Sequence, residues 1–425
     1  MRANYPNARA NTNLNQNLPW FATSDILISV EVGVNPVFST KKVRLYKPVP
    51  CPKVQVVLER AIHWFGSQGI EVAAQAILSL EARLESPQKL MPRNRQSEDS
   101  ILRKISDSFR SASWNTGRSV ALGIGDDAAL FQPKRGHETI LTCDWFLEGT
   151  HFFREQHPPE AVGWKCLARA LSDVAAMGGT PRCFLLSLAV PETHTGPWLD
   201  LFLGGLRRAS RKFQCALTGG DTTRRNEILI NVTVVGEVPA GRAVLRSRAN
   251  TGDVIYVSGR LGEAELGLRI LQRSKGAPSK KNPLTEKHLY PEPRLALGQW
   301  LAEKGLVTTM MDLSDGLSSD LSRLCAASAV GAQLESSKIP LLRFPDVALK
   351  EHHDPLHLAL HGGDDYELLF TAPPRKTKLL PNSFRGVRLT AIGRITQRRE
   401  LLLRDENGRV RQLTPRGWDP FRKKL

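Results

Sequence analysis

From Glu98 onward, stretches with the apolar pattern of β-strands alternate with stretches that have the apolar pattern of helices. Residues 228–238 alternate between apolar and polar positions over their middle, as a half-buried strand does. Pro159 predicts the start of a helix that runs to about Met177, where Gly178 ends it. Such alternation is typical of an α/β or α+β protein, and we expect that fold class.

The same alternation begins a second time after residues 238–252, which contain turn-forming and charged residues. We therefore expect two domains, the first over residues 96–240 and the second over residues 241–425. Residues 1–95 have a different composition and are predicted to form a separate N-terminal extension.

This extension combines several kinds of sequence. Residues 1–17 contain six Asn and few apolar side chains, which predicts disorder. Residues 26–34 have the composition of a strand, residues 54–84 have helical spacing, and residues 86–97 are polar enough to form a linker. Met91 lies within that linker. Two interpretations stay open: translation starts at Met91, or the extension is a genuine accessory segment.

Composition excludes several classes of protein. The chain has 425 residues, of which 41% are hydrophobic and 24% are charged, and these values are ordinary for a globular protein. They exclude a collagen-like, wholly disordered or small disulfide-stabilised protein. No apolar stretch approaches the roughly 20 residues that span a membrane. The six cysteines form no C-x-x-C pair and the N-terminal residues lack a secretory signal, so we expect reduced thiols and a cytoplasmic location.

The charge balance is basic, with 59 Lys and Arg against 42 Asp and Glu, a formal net charge of +17. Such a charge favours either nucleic acid or small phosphorylated substrates as partners. The basic residues are dispersed along the chain, and the sequence contains neither zinc-finger spacing nor an RNA-recognition motif. We therefore expect no nucleic-acid partner and no membrane partner, and nucleic-acid binding remains the alternative from another functional class.

The sharpest local feature is the segment GIGDDAA at residues 123–129. Its glycine spacing is similar to a dinucleotide-binding turn, in which backbone N–H groups face a pyrophosphate. Here Asp126 and Asp127 occupy that position, and a carboxylate repels a phosphate unless a cation lies between them. Acidic turns beside phosphates therefore predict Mg²⁺, which prefers oxygen ligands.

Acidic residues recur at strand ends and beside glycine pairs. If they converge, each pair of carboxylates at 4 Å costs about 4 kcal/mol at an effective dielectric constant near 20, and bound divalent ions would remove that cost. A turn or a helix cap explains any one of them, but it does not explain the whole set. The set comprises Asp144, Asp173, Asp221, Asp312, Asp315, Asp320, Asp364, Asp365 and Glu367.

Other phosphoryl-transfer and metal motifs are absent from the sequence. It contains no Walker A motif, no protein-kinase catalytic set and no H-E-x-x-H motif. These absences exclude a P-loop NTPase, a protein kinase and a zincin protease.

Eight segments in order resemble the thiamine-monophosphate kinase family: GIGDDAAL, TCDWFLEGTHF, LSDVAAMGGTPR, LTGGDTTR, GRAVLRS, MDLSDGLSSDL, GGDDYELLFT and GWDPF. The resemblance covers residues 98–421 and does not account for residues 1–95. It implies an aminoimidazole ribonucleotide synthetase-like architecture, with a mixed-sheet N-terminal domain that dimerises and an α/β C-terminal domain that completes the active site. It also implies transfer of phosphate from ATP to thiamine monophosphate, giving thiamine diphosphate, with several Mg²⁺ ions. Another ATP-dependent enzyme of the same superfamily is the alternative within the enzyme class.

The resemblance assigns roles to individual residues. The implied metal ligands are Asp127, Thr142, Cys143, Asp144, Asp173, Asp221, Asp312 and Asp315. The implied ATP contacts are Gly220, Asp221, Arg246 and Ser314. The implied contacts to thiamine monophosphate are His151, Asp364 and Trp418. The implied catalytic residues are Asp127, Asp144, Asp221 and Arg246.

Two positions depart from the family pattern. Cys143 stands where the family often has a hydroxyl residue, so its thiol or its backbone carbonyl would contact metal. Asp364 stands where some members have Glu, so its reach towards the substrate differs by one methylene. An acceptor phosphate is already anionic near neutral pH, so the expected mechanism is direct in-line transfer without a general base.

Overall fold

The computed structural model describes residues 97–110, 119–274, 276 and 282–421, together with three short strands nearer the N-terminus. The chain forms two compact units, Met1–Asn94 and Arg95–Leu425. The first unit contains an antiparallel sheet of three strands, β1 (Ala22–Thr23), β2 (Ile26–Ser29) and β3 (Arg44–Leu45). Strand β2 covers the start of the strand predicted at residues 26–34. The predicted disorder, helix and linker of this extension lie outside the described residues.

The second unit begins with helix α1, which has Glu98 and Asp99 in its first turn, where acidic side chains favour a helix N-terminus. A four-stranded mixed sheet follows, in the order β6-β9-β7-β8, in which only the β7–β8 pair is parallel. Helices α2 and α3 pack against each other and bury Leu171, Phe202 and the inward side chains of β9 in one core. The elements of this half are α1 (Glu98–Arg110), β4 (Val120–Leu122), β5 (Leu130–Phe131), β6 (His137–Leu147), α2 (Pro159–Ala176), β7 (Thr180–Val190), α3 (Pro197–Phe213), β8 (Ala216–Arg224) and β9 (Leu229–Pro239).

The remaining residues form a mixed eight-stranded sheet with its own apolar core, in the order β11-β13-β10-β15-β12-β16-β17, with β14 paired to β15. Its strands are β10 (Val254–Ser258), β11 (Thr309–Asp312), β12 (Gly331–Glu335), β13 (Leu368–Ala372), β14 (Ser383–Phe384), β15 (Val387–Thr396), β16 (Leu401–Arg404) and β17 (Val410–Gln412). Its helices are α4 (Glu263–Arg273), α5 (Pro283–Leu289), α6 (Leu295–Glu303), α7 (Leu317–Ser328), α8 (Pro345–Lys350) and α9 (Pro355–His361).

The predicted mixed α/β fold is confirmed, and the helix predicted from Pro159 to about Met177 is α2. Residues 228–238, which alternate in the sequence, fall in and beside strand β9. None of the helices in the described part of the chain is long and apolar enough to cross a membrane.

Candidate active site

Two acidic motifs of the second half are joined through their backbones. Strands β11 and β13 are neighbours, and the segments at their ends continue the pairing. The N–H of Asp364 donates to the carbonyl of Ser314 at 2.8 Å, and the N–H of Tyr366 donates to the carbonyl of Leu313 at 2.8 Å. Asp364 has a φ of 66°, a left-handed conformation that turns the chain at this point. The turn that contains Asp315 and the carboxylate of Asp364 therefore lie side by side.

The C-terminal GWDPF segment lies on the same turn. The N–H of Trp418 donates to the carbonyl of Asp315 at 2.9 Å, and the N–H of Gly417 donates to Ser319 Oγ at 2.9 Å. A Cβ atom on Gly417 would lie 1.9 Å from the carbonyl oxygen of Asp315, so this close approach requires glycine. The Trp418 side chain is 40% exposed. Its indole is thus tethered beside Asp315 while remaining accessible to a ligand.

Helix α2 brings residues of the first half into this site. Lys165, Arg169 and Asp173 are spaced four residues apart and therefore lie on one face of the helix. Thr142 of the adjacent strand β6 donates its hydroxyl to Asp173 Oδ2 at 2.5 Å. At the other end of the row, Lys165 Nζ lies 2.8 Å from Asp364 Oδ2. One helix therefore connects β6 with the acidic motifs of the second half.

Five carboxylates converge around this helix face. Burial raises the pKa of Asp144, and Asp173, Asp315 and Asp364 raise it further, while Arg169 opposes the shift. Burial also raises the pKa of Asp312 well above its ordinary value, with Asp173 contributing in the same direction. The carboxylates come from β6, α2, the end of β11 and the segment before β13. The predicted convergence therefore holds for Asp144, Asp173, Asp312, Asp315 and Asp364.

Asp364 is held in its charged form. Burial alone would raise its pKa, but Lys165, His288 and Arg169 lower it well below the ordinary value. The hydroxyl of Tyr366 donates to Asp364 Oδ1 at 2.7 Å, so both carboxylate oxygens have a partner. The resulting carboxylate is fixed in place and anionic at neutral pH.

His151 is neutral at physiological pH. Burial, followed by the positive charge of Arg169, lowers its pKa to about 4. The backbone N–H of Leu147 donates to His151 Nδ1 at 3.0 Å, which leaves the ring proton on Nε2. His151 therefore offers a hydrogen-bond donor, and its pKa is sensitive to Asp364 and Lys165, which places it on the Asp364 side of the site.

Two of the expected residues lie on the opposite face of the four-stranded sheet. Asp221 of β8 pairs with Ser187 of β7, which pairs with Asn231 of β9. Asn231 pairs in turn with Trp145 of β6, so Asp221 and Trp145 lie on the same face of the sheet. Asp144 precedes Trp145 in β6, and its side chain therefore points to the other face. Cys143 shares the face of Trp145, and its Sγ lies 3.3 Å from Asn231 Oδ1. The Cys143 thiol therefore faces away from Asp144.

Three further residues lie apart from the carboxylates. Asp127 is in an exposed turn between β4 and β5. Arg246 is exposed, and its carbonyl accepts a hydrogen bond from Ser328 Oγ at 2.7 Å. Gly220 has a φ of 152°, and a Cβ atom there would lie 1.9 Å from a backbone oxygen of β7, so the strand geometry itself requires this glycine.

Three other acids of the same motifs have structural partners. Asp320 accepts the N–H groups of Asp315 and Gly316, and burial raises its pKa to about 7. Asp365 accepts the N–H groups of two residues at the start of α4. Glu367 is buried against Arg294, Lys287 and Ser258. Their sequence context alone did not separate these acids from the converging ones.

The converging groups suit a hard divalent cation, although no three His, Cys, Asp or Glu side chains in the described ranges form a ready-made metal cage. Mg²⁺ commonly takes one or two protein carboxylates and completes its shell with water and substrate phosphates, so such a cage is not required. The donors are carboxylate and hydroxyl oxygens. Burial and the neighbouring carboxylates raise the pKa of Asp144, and a bound cation would offset both effects.

Sequence reasoning missed Lys165, Arg169, Tyr366 and His288. Lys165 is 1% exposed and also lies 3.2 Å from the His288 ring nitrogens. The spacing of Lys165, Arg169 and Asp173 at four-residue intervals was a usable signal, since it places two cations in line with a proposed metal ligand.

Two models of known protein families match the second unit of the chain. Residues 125–238 match the family AIR synthase related protein, N-terminal domain, and residues 250–405 match AIR synthase related protein, C-terminal domain. The thiamine-monophosphate kinase of Escherichia coli (strain K12) is 37% identical over 331 residues, which cover 76% of this chain and 98% of that protein. The chain belongs to the thiamine-monophosphate kinase family. The resemblance inferred from its eight motifs is confirmed.

Solved structures of thiamine-monophosphate kinases share the fold. The crystal structure of the enzyme from Stenotrophomonas maltophilia K279a has 35% sequence identity and a TM-score of 0.65, covering 71% of this chain and 95% of that one. The structure of AaThiL complexed with AMPPCP and TMP has 32% identity and a TM-score of 0.60, covering 76% of this chain and 97% of that one.

Proposed function

We propose that this protein is a kinase that transfers the γ-phosphoryl group of ATP to the phosphate of thiamine monophosphate, giving ADP and thiamine diphosphate. The observation that carries the proposal is the convergence of five carboxylates beside the tethered Trp418. Family membership supports the reaction, as does a structural relative complexed with AMPPCP and TMP.

Oxygen ligands for Mg²⁺ are proposed on both faces of the four-stranded sheet. On the α2 side, Thr142, Asp144, Asp173, Asp312 and Asp315 would hold the metal. The backbone carbonyl of Cys143 is the preferred ligand at that position, because its thiol lies beside Asn231. Asp127 and Asp221 are proposed ligands from the turn after β4 and from β8. Bound Mg²⁺ would supply charge neutralisation for the phosphates.

Thiamine monophosphate is proposed to bind among His151, Asp364 and Trp418. The Nε2–H of His151 would donate a hydrogen bond, and the fixed carboxylate of Asp364 would attract the cationic thiamine. The exposed face of Trp418 suits a thiazolium ring, which carries a positive charge. For ATP, the proposed contacts are Gly220, Asp221, Arg246 and Ser314.

The proposed reaction is a direct in-line displacement without a phosphorylated enzyme. The attacking atom is a phosphate oxygen that is already anionic near neutral pH, so no general base has to remove a proton. The difficulty is to bring two polyanions together and to align them. Asp127, Asp144, Asp221 and Arg246 are proposed to serve this positioning and charge balance.

We further propose that two copies associate through the outer face of the four-stranded sheet. Leu141, Trp145 and Leu185 on that face are 70%, 55% and 37% exposed, and contiguous exposed apolar side chains mark interaction surfaces. Asp221 lies in register with Trp145, so a second copy would lie against it.

The organisation of the chain is proposed as an extension over residues 1–95, an ATP- and Mg²⁺-binding dimerisation domain over 96–240, and a domain over 241–425 that completes the active site. A cytoplasmic location is also proposed. It is supported by the described cysteines, which form no disulfide: Cys143, Cys166, Cys183, Cys215 and Cys325.

The direct test is to incubate the purified full chain with ATP, Mg²⁺ and thiamine monophosphate and to quantify thiamine diphosphate and ADP. Thiamine replaces thiamine monophosphate in the parallel reaction, and the Asp144→Asn variant controls for contaminating kinases. The proposal predicts product from thiamine monophosphate alone. Equal or better turnover of thiamine would refute it.

A further inference from the structure

Arg169 lies between the two halves of the proposed site. It is four residues after Lys165 and four residues before Asp173 on α2, which separates neighbouring members of the row by about 6 Å along the helix axis. Lys165 is bound to Asp364, on the proposed thiamine side, and Asp173 is bound to Thr142, on the proposed metal side. Arg169 therefore lies between the proposed thiamine contact Asp364 and the proposed metal ligand Asp173.

Packing fixes the guanidinium in this position. Its Cζ atom lies 5.3 Å from the centroid of the Phe146 ring, and Phe146 is a buried residue of β6 two positions after Asp144. Because residues two apart on a strand share a face, Phe146 and Asp144 both point towards α2. The aromatic face therefore holds the planar guanidinium on the same side of the sheet as the converging carboxylates.

The hydrogen-bonding capacity of this arginine is unused. Arg169 Nε is buried and has no hydrogen-bond partner. Among the residues that the structure describes, none forms an ion pair or a hydrogen bond with its guanidinium. The side chain as a whole is partly exposed, so this one nitrogen is the buried donor without a partner. A buried donor of this kind is costly unless a ligand satisfies it, because it loses its hydration on burial.

The surrounding charges keep Arg169 protonated, which makes it a fixed cation among carboxylates. Burial works against the charge, but Tyr366, Asp144, Asp364 and Asp315 raise its pKa above the ordinary value. These carboxylates would also repel an incoming phosphate. A fixed cation among them offsets that repulsion, and the planar fork of an arginine matches two oxygens of a phosphate.

We propose that Arg169 binds the phosphate group of thiamine monophosphate and holds it for attack on ATP. This inference rests on the proposed function and adds a residue that contacts the acceptor. The acceptor is favoured over ATP because Arg169 lies about one helical turn from Lys165, which is bound to Asp364, a proposed thiamine contact. Of the proposed ATP contacts, Gly220 and Asp221 lie on β8 and Arg246 on an exposed loop, and only Ser314 lies beside Asp364.

The test compares Arg169→Met with the wild type in steady-state kinetics, varying thiamine monophosphate and ATP separately. Loss of a charge-assisted contact to phosphate is expected to raise the KM for thiamine monophosphate about 10- to 100-fold. The KM for ATP should change by less than about threefold, which is under 0.7 kcal/mol. Arg208→Met is the matched control, since Arg208 is an exposed arginine on α3 outside the site, and its kinetics should equal those of the wild type.

Thermal unfolding of both variants separates binding from folding. A folded Arg169→Met protein with an unchanged KM for thiamine monophosphate, or with equal rises in both KM values, would overturn the assignment. If Arg169→Met does not fold, Arg169→Lys decides, because it retains the charge but loses the planar fork. A several-fold selective rise in the KM for thiamine monophosphate supports the assignment, and an unchanged KM overturns it. A wild-type protein that does not use thiamine monophosphate would instead refute the proposed function.

Discussion

The ammonium group of Lys165 lies 2.8 Å from the carboxylate of Asp364, in an ion pair whose lysine is 1% exposed. This pair joins α2 to the segment before β13 and holds the carboxylate that is proposed to face thiamine. Burial lowers the pKa of Lys165 to about 8 even though Asp364 opposes the shift, so the pair is fully ionised only below that pH.

Replacing Lys165 by Met is expected to lower the free energy of unfolding by about 3–5 kcal/mol, because Asp364 would lose its buried countercharge. Urea unfolding at pH 7 measures the change. Lys212→Met is the matched control: that lysine pairs with Glu292 at the surface and should cost less than about 1 kcal/mol. Equal losses of unfolding free energy in the two variants would contradict a larger contribution from the buried ion pair than from the surface pair.

Replacing Asp144 by Asn is expected to reduce kcat by on the order of 100-fold or more, since it removes a proposed metal ligand. The thermal midpoint without ligands should stay equal or rise, because burial and three neighbouring carboxylates oppose the charge of Asp144. Kinetics at saturating Mg²⁺ and a thermal melt check both statements. Asp346→Asn, an exposed change on α8, should behave as the wild type.

Asp221→Asn tests the other face of the sheet. Asp221 is exposed within a single copy of the chain, so its replacement should leave the fold of that copy intact while lowering activity if it is a ligand. Near-wild-type turnover at saturating Mg²⁺ would remove Asp221 from the proposed site and would leave Asp144 in it.

Trp418→Ala is expected to raise the KM for thiamine monophosphate by several-fold to about 30-fold, the effect of losing a cation–π contact. The KM for ATP should stay nearly unchanged. Trp418→Phe should recover much of the loss, because a smaller ring still offers an aromatic face. A loss of stability with both KM values unchanged would make Trp418 a packing residue.

Glu367→Gln is expected to weaken the acid sensitivity of the fold. Burial alone would raise the pKa of Glu367, but Lys287 and Arg294 lower it to about 2. A depressed pKa stabilises the folded protein above the ordinary value of 4.5, and that contribution is lost as the pH falls through about 2. The shift corresponds to about 3 kcal/mol.

Unfolding measured from pH 7 to pH 2 should therefore show Glu367→Gln less stable than the wild type at neutral pH, with the difference narrowing in acid. Glu335→Gln provides the comparison, since Glu335 is only loosely paired with Arg404 at 3.7 Å. If the difference in unfolding free energy between Glu367→Gln and the wild type stays constant with pH, ionisation of Glu367 does not contribute to stability as described.

A chain that starts at Met91 is expected to be folded and active. It retains the complete unit Arg95–Leu425 and all eight family motifs. Circular dichroism measures folding, and the formation of thiamine diphosphate and ADP measures activity. Both are compared with the full-length chain. Inactive or insoluble truncated protein would show that the extension is required for folding or activity.

Much of the fold was predictable because local signals mark its boundaries. Proline and glycine delimit α2, and alternation identifies β9. The cations on α2 were not predictable from hydrophobic patterning, because this helix is buried on nearly all sides and shows no single apolar stripe. Only the packing reveals that Lys165 meets Asp364.

The face of the sheet on which Asp221 lies depends on a register shift between β7 and β8, which the sequence does not display. Cys183 pairs with Ala216, but Leu185 pairs with Gly219, so β8 contains one extra residue relative to β7. Without that shift Asp221 would pair with Leu188, whose side chain is buried, instead of Ser187. A single-residue change of register moves every later side chain to the other face of a sheet. The side chains of Asp221 and Asp144 lie on opposite faces for this reason.

The row of Lys165, Arg169 and Asp173 limits how the length of the chain can vary. Each residue added to an α-helix turns the following part by about 100°. One residue inserted between Lys165 and Asp173 would leave the first bound to Asp364 while rotating the second away from Thr142. Loops that carry no site residue can lengthen without altering the site, whereas relatives of this protein that keep both contacts must keep the eight-residue interval without a gap.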